Sequence, residues 1–271
     1  MACSLTFIGT ATTLLRLGPF TLLTDPNFLH RGQLAWLGKG LVSRRLTDPA
    51  MSVDALPHYD AVLLSHLHGD HFDRVARRGL RRDAPIITTH HAARRLGWRG
   101  LEPVALSTWQ QHTLERDGHE LVVESLPAVH AFGAMGKLLP PVMGSMLTLR
   151  HDGADVIRVY VSGDTLVGDH LDRIRERHGV PDVAVVHLGG TRVLGALVTL
   201  DAEGGVRLLD RLRPNATVPV HYGDYGVFKS PLQDFVTTWH GWQGRPGRLL
   251  TVERGGTVDL PEPNADRSAM A

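Results

Sequence analysis

His66-Leu67-His68-Gly69-Asp70-His71 follows directly on the apolar run Ala61-Val62-Leu63-Leu64-Ser65. Four side chains able to ligate a metal fall within six residues, between a buried strand and a helix-like stretch from Phe72 to Arg82. A lone histidine is most often a surface or satisfied core residue. Three of them with an aspartate in one short loop point to a metal centre. Imidazole and carboxylate together suit zinc first, with Mn and Fe as alternatives. Other zinc templates are absent: there is no HExxH, and with Cys3 as the only cysteine there is no CxxC.

Strands surround that loop. Leu5–Ile8, Thr12–Leu17 and Phe20–Thr24 read as strands, the last two joined across Gly18-Pro19 as a hairpin. Asp25-Pro26 closes the third strand, an irregular stretch runs from Asn27 to Ala55, and Asp60–Ser65 is the next strand. Beyond the cluster come strand Pro85–Thr88, helix His90–Leu96 and strands Glu102–Leu106, His119–Leu126, Ser145–Leu149 and Val156–Val161. Helix Asp169–Arg177, strand Val183–Leu188, helix Ala202–Leu212, strand Thr217–Val220, helix Leu232–Trp239 and a last strand Leu249–Glu253 complete the pattern. Strands, then strands alternating with helices, occur twice. One α/β domain of two sheets with outer helices is expected over residues 1–260, with 261–271 as a flexible C-terminal tail.

Completing a two-metal site needs further donors, and three strand ends offer them. His130 ends Leu126-Pro127-Ala128-Val129-His130, Asp164 lies in Ser162-Gly163-Asp164-Thr165, and His221 ends Val218-Pro219-Val220-His221. Loops at strand ends are where rigid scaffolds display functional groups. Taken singly, His130 also suits a loop cap, Asp164 a turn beside Gly163, and His221 a packed strand end. Among the 16 histidines, His90, His91, His112, His119, His151, His170, His178 and His240 have no ligand-like context.

Composition removes some partners. The chain balances 29 basic against 28 acidic residues, a net charge of +1. That gives no electrostatic case for nucleic acid or an anionic membrane as a general partner. Arg77-Arg78, Arg81-Arg82 and Arg94-Arg95 read as solvated helix faces. One cysteine excludes an intrachain disulfide and fits a reducing compartment. With neither a basic leader nor an apolar run of the roughly 20 residues that span a bilayer, a cytoplasmic protein is expected.

Taken in order, Thr24-Asp25-Pro26, the His66–His71 cluster, His130, Ser162-Gly163-Asp164-Thr165 and His221 resemble the metallo-β-lactamase-fold hydrolases over nearly the whole chain. Leu23-Thr24-Asp25-Pro26, Pro127-Ala128-Val129-His130 and Val220-His221-Tyr222-Gly223 are similar to the branch of ascorbate-6-phosphate lactonase and the phospholipase D acting on N-acyl phosphatidylethanolamines. The resemblance implies an αββα sandwich of two mixed β-sheets flanked by helices. It implies two divalent metals, one on His66, His68 and His130, the other on Asp70, His71 and His221, with Asp164 bridging. Asp25 would accept the free N–H of a ligand imidazole; its alternative is an Asx-type turn before Pro26. The sequence departs from the branch at Gly9-Thr10-Ala11, where a histidine usually stands in place of Thr10. His187, at another strand end, is either a pocket or proton-transfer residue or a packed one.

Two ions about 3.5–4 Å apart share a water and lower its pKa. The expected activity is therefore a metal-dependent hydrolase using a metal-bridged hydroxide on an ester, lactone or phosphodiester, with Asp70 orienting it or passing a proton to the leaving group. Alternatives are a nuclease of the same fold and a non-enzymatic metal-binding protein. The apolar loops 28–46 and 131–146 suggest either walls for a small-molecule substrate with an apolar part, or core packing, or the contact of a homo-oligomer.

Overall fold

In the computed structural model, which describes residues 2–38, 40–97, 101 and 103–261, the central strands bury apolar side chains on both faces, and this sets the layering. The first half runs β1 (Cys3–Gly9), β2 (Thr12–Leu17), β3 (Phe20–Thr24), β4 (Leu34–Trp36), β5 (Val42–Arg44), β6 (Ala61–Leu63), α1 (Arg74–Gly79), β7 (Ile86–Thr89), α2 (His90–Gly97), β8 (Pro103–Leu106) and β9 (Gln111–Arg116). The second runs β10 (His119–Pro127), α3 (Gly133–Leu138), β11 (Met143–His151), β12 (Ala154–Val161), α4 (His170–His178), β13 (Val183–His187), β14 (Arg192–Val193), β15 (Ala196–Leu197), α5 (Ala202–Leu212), β16 (Ala216–Val220), α6 (Leu232–Gly241), β17 (Arg248–Leu249) and β18 (Thr257–Asp259).

Two seven-stranded sheets form, in the orders β18-β1-β2-β3-β6-β7-β8 and β17-β16-β13-β12-β11-β10-β9. Each is antiparallel at one end and parallel at the other. β3, β6, β7 and β8 run parallel in the first sheet, and β12, β13, β16 and β17 in the second. Alternate residues of both sheets meet in the middle: Phe7, Leu15, Leu22 and Leu63 share a core with Leu147, Val159, Val185 and Val218. The residues between them point outward. Ile8, Leu23 and Val62 pack with Ala76 of α1 and Leu96 of α2. Tyr160, Ala184 and Val186 pack with Ile174, Leu208 and Trp239 of α4, α5 and α6. The expected αββα sandwich of mixed sheets is the fold, and the two-residue strand period builds it by feeding three apolar layers.

Some elements differ from expectation. Helix α1 starts at Arg74 rather than Phe72, because the Asp73 carboxylate caps it by accepting the Val75 and Ala76 N–H at 2.7 and 2.8 Å. The stretch 27–55 contains the β4–β5 hairpin, turned at Gly38 and Gly40 with φ of +85° and +82°. Edge strand β9 was hidden by its polar residues. The last strand is not Leu249–Glu253. After β17 the Leu250 N–H bonds Thr217 O at 2.8 Å, and the chain then leaves the second sheet, turns at Gly255 and returns as β18 on the first. Glu102 and all of the 261–271 tail except Pro261 lie outside the described residues. No helix among the described residues is long and apolar enough to cross a membrane.

Candidate metal centre

Parallel strands of the two sheets end at a common edge, and the polar residues follow those ends. Asp25 comes after β3, His66 after β6, Asp164 after β12, and His221 after β16, while His187 closes β13. The loop after β6 is tight: the His71 and Phe72 N–H both reach His68 O, at 3.1 and 2.8 Å. Gly69 lets it pass under the β4–β5 hairpin, since a Cβ there would lie 2.5 Å from Trp36 O. Asp73 fixes the far side by also accepting the Phe28 and Leu29 N–H, at 2.5 and 2.7 Å.

The side chains gather into two overlapping groups. Nε2 of His66 and of His130 lie 2.9 and 3.3 Å from His68 Nδ1. On the other side, Asp70 Oδ2 is 3.5 Å from His221 Nε2, and Asp164 Oδ2 is 3.2 Å from His71 Nε2. Asp164 spans both groups: Oδ2 is 4.0 Å from His66 Nε2, and Oδ1 is 3.7 Å from His221 Nδ1. Donor atoms of His66, His68 and His130, of Asp70, His71 and His221, and of His66, His71 and Asp164 each fall within 4.8 Å of one another.

The outer ring nitrogens reveal what the inner ones offer. His130 Nδ1 faces Val198 O at 2.8 Å and His221 Nδ1 faces Leu188 O at 3.0 Å, so each donates its proton there and leaves Nε2 as a lone pair. Ser65 Oγ donates to the Asp25 carboxylate and so accepts from His66 Nδ1 at 3.1 Å, baring His66 Nε2. His71 Nδ1 donates to Asp25 Oδ2 at 3.1 Å, which turns its Nε2 on the Asp164 carboxylate. Imidazole nitrogens thus crowd against one another and against carboxylate oxygens in a largely buried cluster. His68 Nε2, Asp70 Oδ1, His71 Nε2, Asp164 Oδ1 and His221 Nε2 are buried without a hydrogen-bond partner. That is costly unless a cation sits among them. Divalent metals fit this donor set.

Electrostatics divide the cluster: His66, His68 and His130 are lowered, whereas His71 and His221, beside Asp164 and Asp70, are raised despite their burial. Burial, then neighbouring imidazoles, hold His66 well below the ordinary histidine value and His68 at about 4, and burial also lowers His130, so all three are neutral and able to ligate. For His71, burial acts downward but Asp164, Asp25 and Asp70 outweigh it and raise it well above the ordinary value. Burial likewise pushes Asp25 up, yet His71 and His187 overcome it and hold the carboxyl at about 2. A cation between the carboxylates would take over the role of the His71 proton.

All seven predicted ligand residues and Asp25 are therefore brought together. Asp25 accepts from Ser65 N–H, Ser65 Oγ, His71 and His187. Although Asp25, His71 and His187 lie within reach of one cation, Asp25 is thus already satisfied by protein donors. His187 is buried, with Nε2 3.1 Å from Asp25 Oδ2 and Nδ1 3.2 Å from Ser162 Oγ. Thr10 is buried too, and its carbonyl accepts the His221 N–H at 2.6 Å. That bond helps hold His221 at φ +63°, a left-handed conformation costing a non-glycine residue about 1 kcal/mol. Sequence reasoning missed three supports: Ser65, Asp73, and Asn27, whose Nδ2 donates to Gly69 O at 2.8 Å. Asp73 carried a legible signal, an aspartate at a helix start. Nothing local marked Asn27.

A family model described as Beta-lactamase superfamily domain matches residues 21–222. A protein named UPF0173 metal-dependent hydrolase, from Nanoarchaeum equitans, is 25% identical over 199 residues, covering 71% of this chain and 82% of the relative. Among solved structures, a protein described as a possible metal-dependent hydrolase from Veillonella parvula superposes with a TM-score of 0.79 at 20% identity, covering 95% of this chain and 99% of the other. Isothiocyanate hydrolase from Delia radicum gut bacteria gives 0.79 at 22% identity, covering 96% and 100%.

Proposed function

This chain belongs to the beta-lactamase superfamily, and on that premise we propose that it is a dinuclear metal-dependent hydrolase cleaving an ester, lactone or phosphodiester bond in a small substrate with an apolar part. The observation that carries the reading is the pair of donor groups spanned by Asp164, with five of their atoms buried and unpartnered. His66, His68 and His130 would hold one ion and Asp70, His71 and His221 the second, with Asp164 between them. Divalent ions held there would supply Lewis acidity, making a water more acidic and the scissile bond more polar.

The chain's own residues do the rest. Val198 O, Leu188 O, Ser65 and Asp25 fix the imidazole tautomers, so the lone pairs are aimed before any metal arrives. Asp70 Oδ1 is free to accept a proton from the attacking water and hand it to the leaving group. Burial of the cluster excludes bulk water, which strengthens every charge interaction within it.

Metal analysis per chain, joined to a panel of lactones, phosphodiesters, thioesters and single-stranded RNA, tests the proposal. Close to two metals per chain and turnover of a member of the panel are expected. A folded protein that takes up no metal on reconstitution overturns it, and a stoichiometry of one overturns the dinuclear assignment.

A further inference from the structure

Every large apolar side chain that stands exposed among the described residues lies on one of three segments: 34–46, 132–138 and the β14–β15 hairpin. All three border the His66, His68 and His130 side of the cluster. A Cβ on Gly38 would lie 3.7 Å from His68 Nε2, Phe132 follows His130 by two residues, and Val198, just past β15, holds His130 Nδ1.

The β4–β5 ribbon makes the pattern clear. Ala35 and Ser43 point inward and are buried. The opposite face, which a solvated ribbon fills with polar residues, carries Leu34, Trp36, Val42 and Arg44. Trp36 is 60% exposed, Phe132 58%, Leu138 54% and Leu194 94%. Side chains so exposed do not wall a closed cavity; they project into water.

Charge is equally uneven. Residues 28–46, 131–142 and 189–200 contain Arg31, Lys39, Arg44, Arg45, Lys137 and Arg192 and not one acid, in a chain whose net charge is only +1. Arg45 is buried, but Arg31, Arg44, Lys137 and Arg192 are exposed. Local acids offset little: Asp48 faces His30 and the Arg31 N–H, and Asp201 stands 3.7 Å from Arg192. Near-zero global charge therefore conceals a cationic, apolar rim around the metal cluster.

We propose that this rim docks the protein on an anionic lipid surface, with Trp36, Phe132, Leu138 and Leu194 entering the headgroup region and Arg31, Arg44, Lys137 and Arg192 facing the lipid phosphates. Apolar projections flanked by cations and free of acids are complementary to such a surface. The site would then open toward the bilayer.

Co-sedimentation with phosphatidylglycerol–phosphatidylcholine vesicles and with pure phosphatidylcholine vesicles tests this without any substrate, so its outcome is independent of the hydrolase reading. Binding to the anionic vesicles is expected, weakened by salt, with a blue shift of tryptophan emission that is lost in Trp36→Phe. Arg44→Glu combined with Arg192→Glu should weaken binding about tenfold or more, and Leu194→Ser should weaken it without changing the circular dichroism spectrum. No binding to anionic vesicles at low salt overturns the proposal. So does a stable dimer in light scattering that Trp36→Ala or Leu194→Ser dissociates, because the rim is then a contact between copies of this chain.

Discussion

The floor of the site and its rim lie a few residues apart and are built on opposite terms. On the floor, His66, His71, Asp164 and His221 are at most 2% exposed, and the rings are anchored through their outer nitrogens. On the rim, Trp36, Phe132, Leu138 and Leu194 are more than half exposed and sit on short hairpins or a six-residue helix. Metal ligation tolerates little displacement, so its donors grow from the ends of strands locked between two apolar layers. The proposed contact with an anionic lipid surface needs no fixed geometry, so loops suffice for it.

The sharpest way to break this division is to remove the residue shared by both donor groups. Asp164→Ala should lower turnover at least about a thousandfold, the scale of losing a preorganised electrostatic element, and bring metal content below two per chain by elemental analysis. Asp25→Ala leaves every ligand in place but frees the His71 ring. Metal affinity, read by competition with a chromophoric chelator, should fall about 10–100-fold; unchanged affinity would show that the floor does not depend on its anchors.

Asp73 joins floor to rim, because one carboxylate caps α1 and ties Phe28 and Leu29 beneath the hairpin. Asp73→Ala removes a cap and strands two buried N–H groups, a loss of about 3 kcal/mol, visible as a melting temperature lower by roughly 5–10 °C. Acid should loosen the chelated protein gradually. Burial holds His68 and His170 at about 4 when folded, against 6.5 as the ordinary value. The unfolded chain therefore takes up these protons first, so the stability is fully present above about pH 6.5 and declines as the pH falls toward 4. Urea midpoints at stepped pH should follow that slope, and His170→Asn should flatten it. The smallest effect belongs to the rim: Trp36→Ala should change unfolding free energy by no more than about 0.5 kcal/mol. A larger loss would place Trp36 in the packing of the floor.

Much of the floor was legible from sequence. An apolar run ending in His66–His71, and His130, Asp164 and His221 each following an apolar stretch, are local signals. Two sheets with outer helices were legible from the order of strands and helices, and the αββα sandwich from the family resemblance. Less visible were elements whose residues do not alternate in the expected way. Strand β9 is polar on an edge, the β4–β5 ribbon is apolar on its outer face, and β18 belongs to the sheet opposite the strand before it. The acid-free rim was present in the letters, but net charge averaged it away.

The sequence alone determined the donor types, their places at strand ends and the order of strands and helices, because each follows from residue chemistry and from where apolar runs stop. Tertiary structure decided which lone pairs face inward. That choice rests on Val198 O, Leu188 O, Ser65 and Asp25, and on His187 standing between Asp25 and Ser162. Val198 is 68 residues from His130 and His187 is 162 from Asp25. No local pattern encodes such pairs; only two sheets ending at one edge bring them within hydrogen-bond distance.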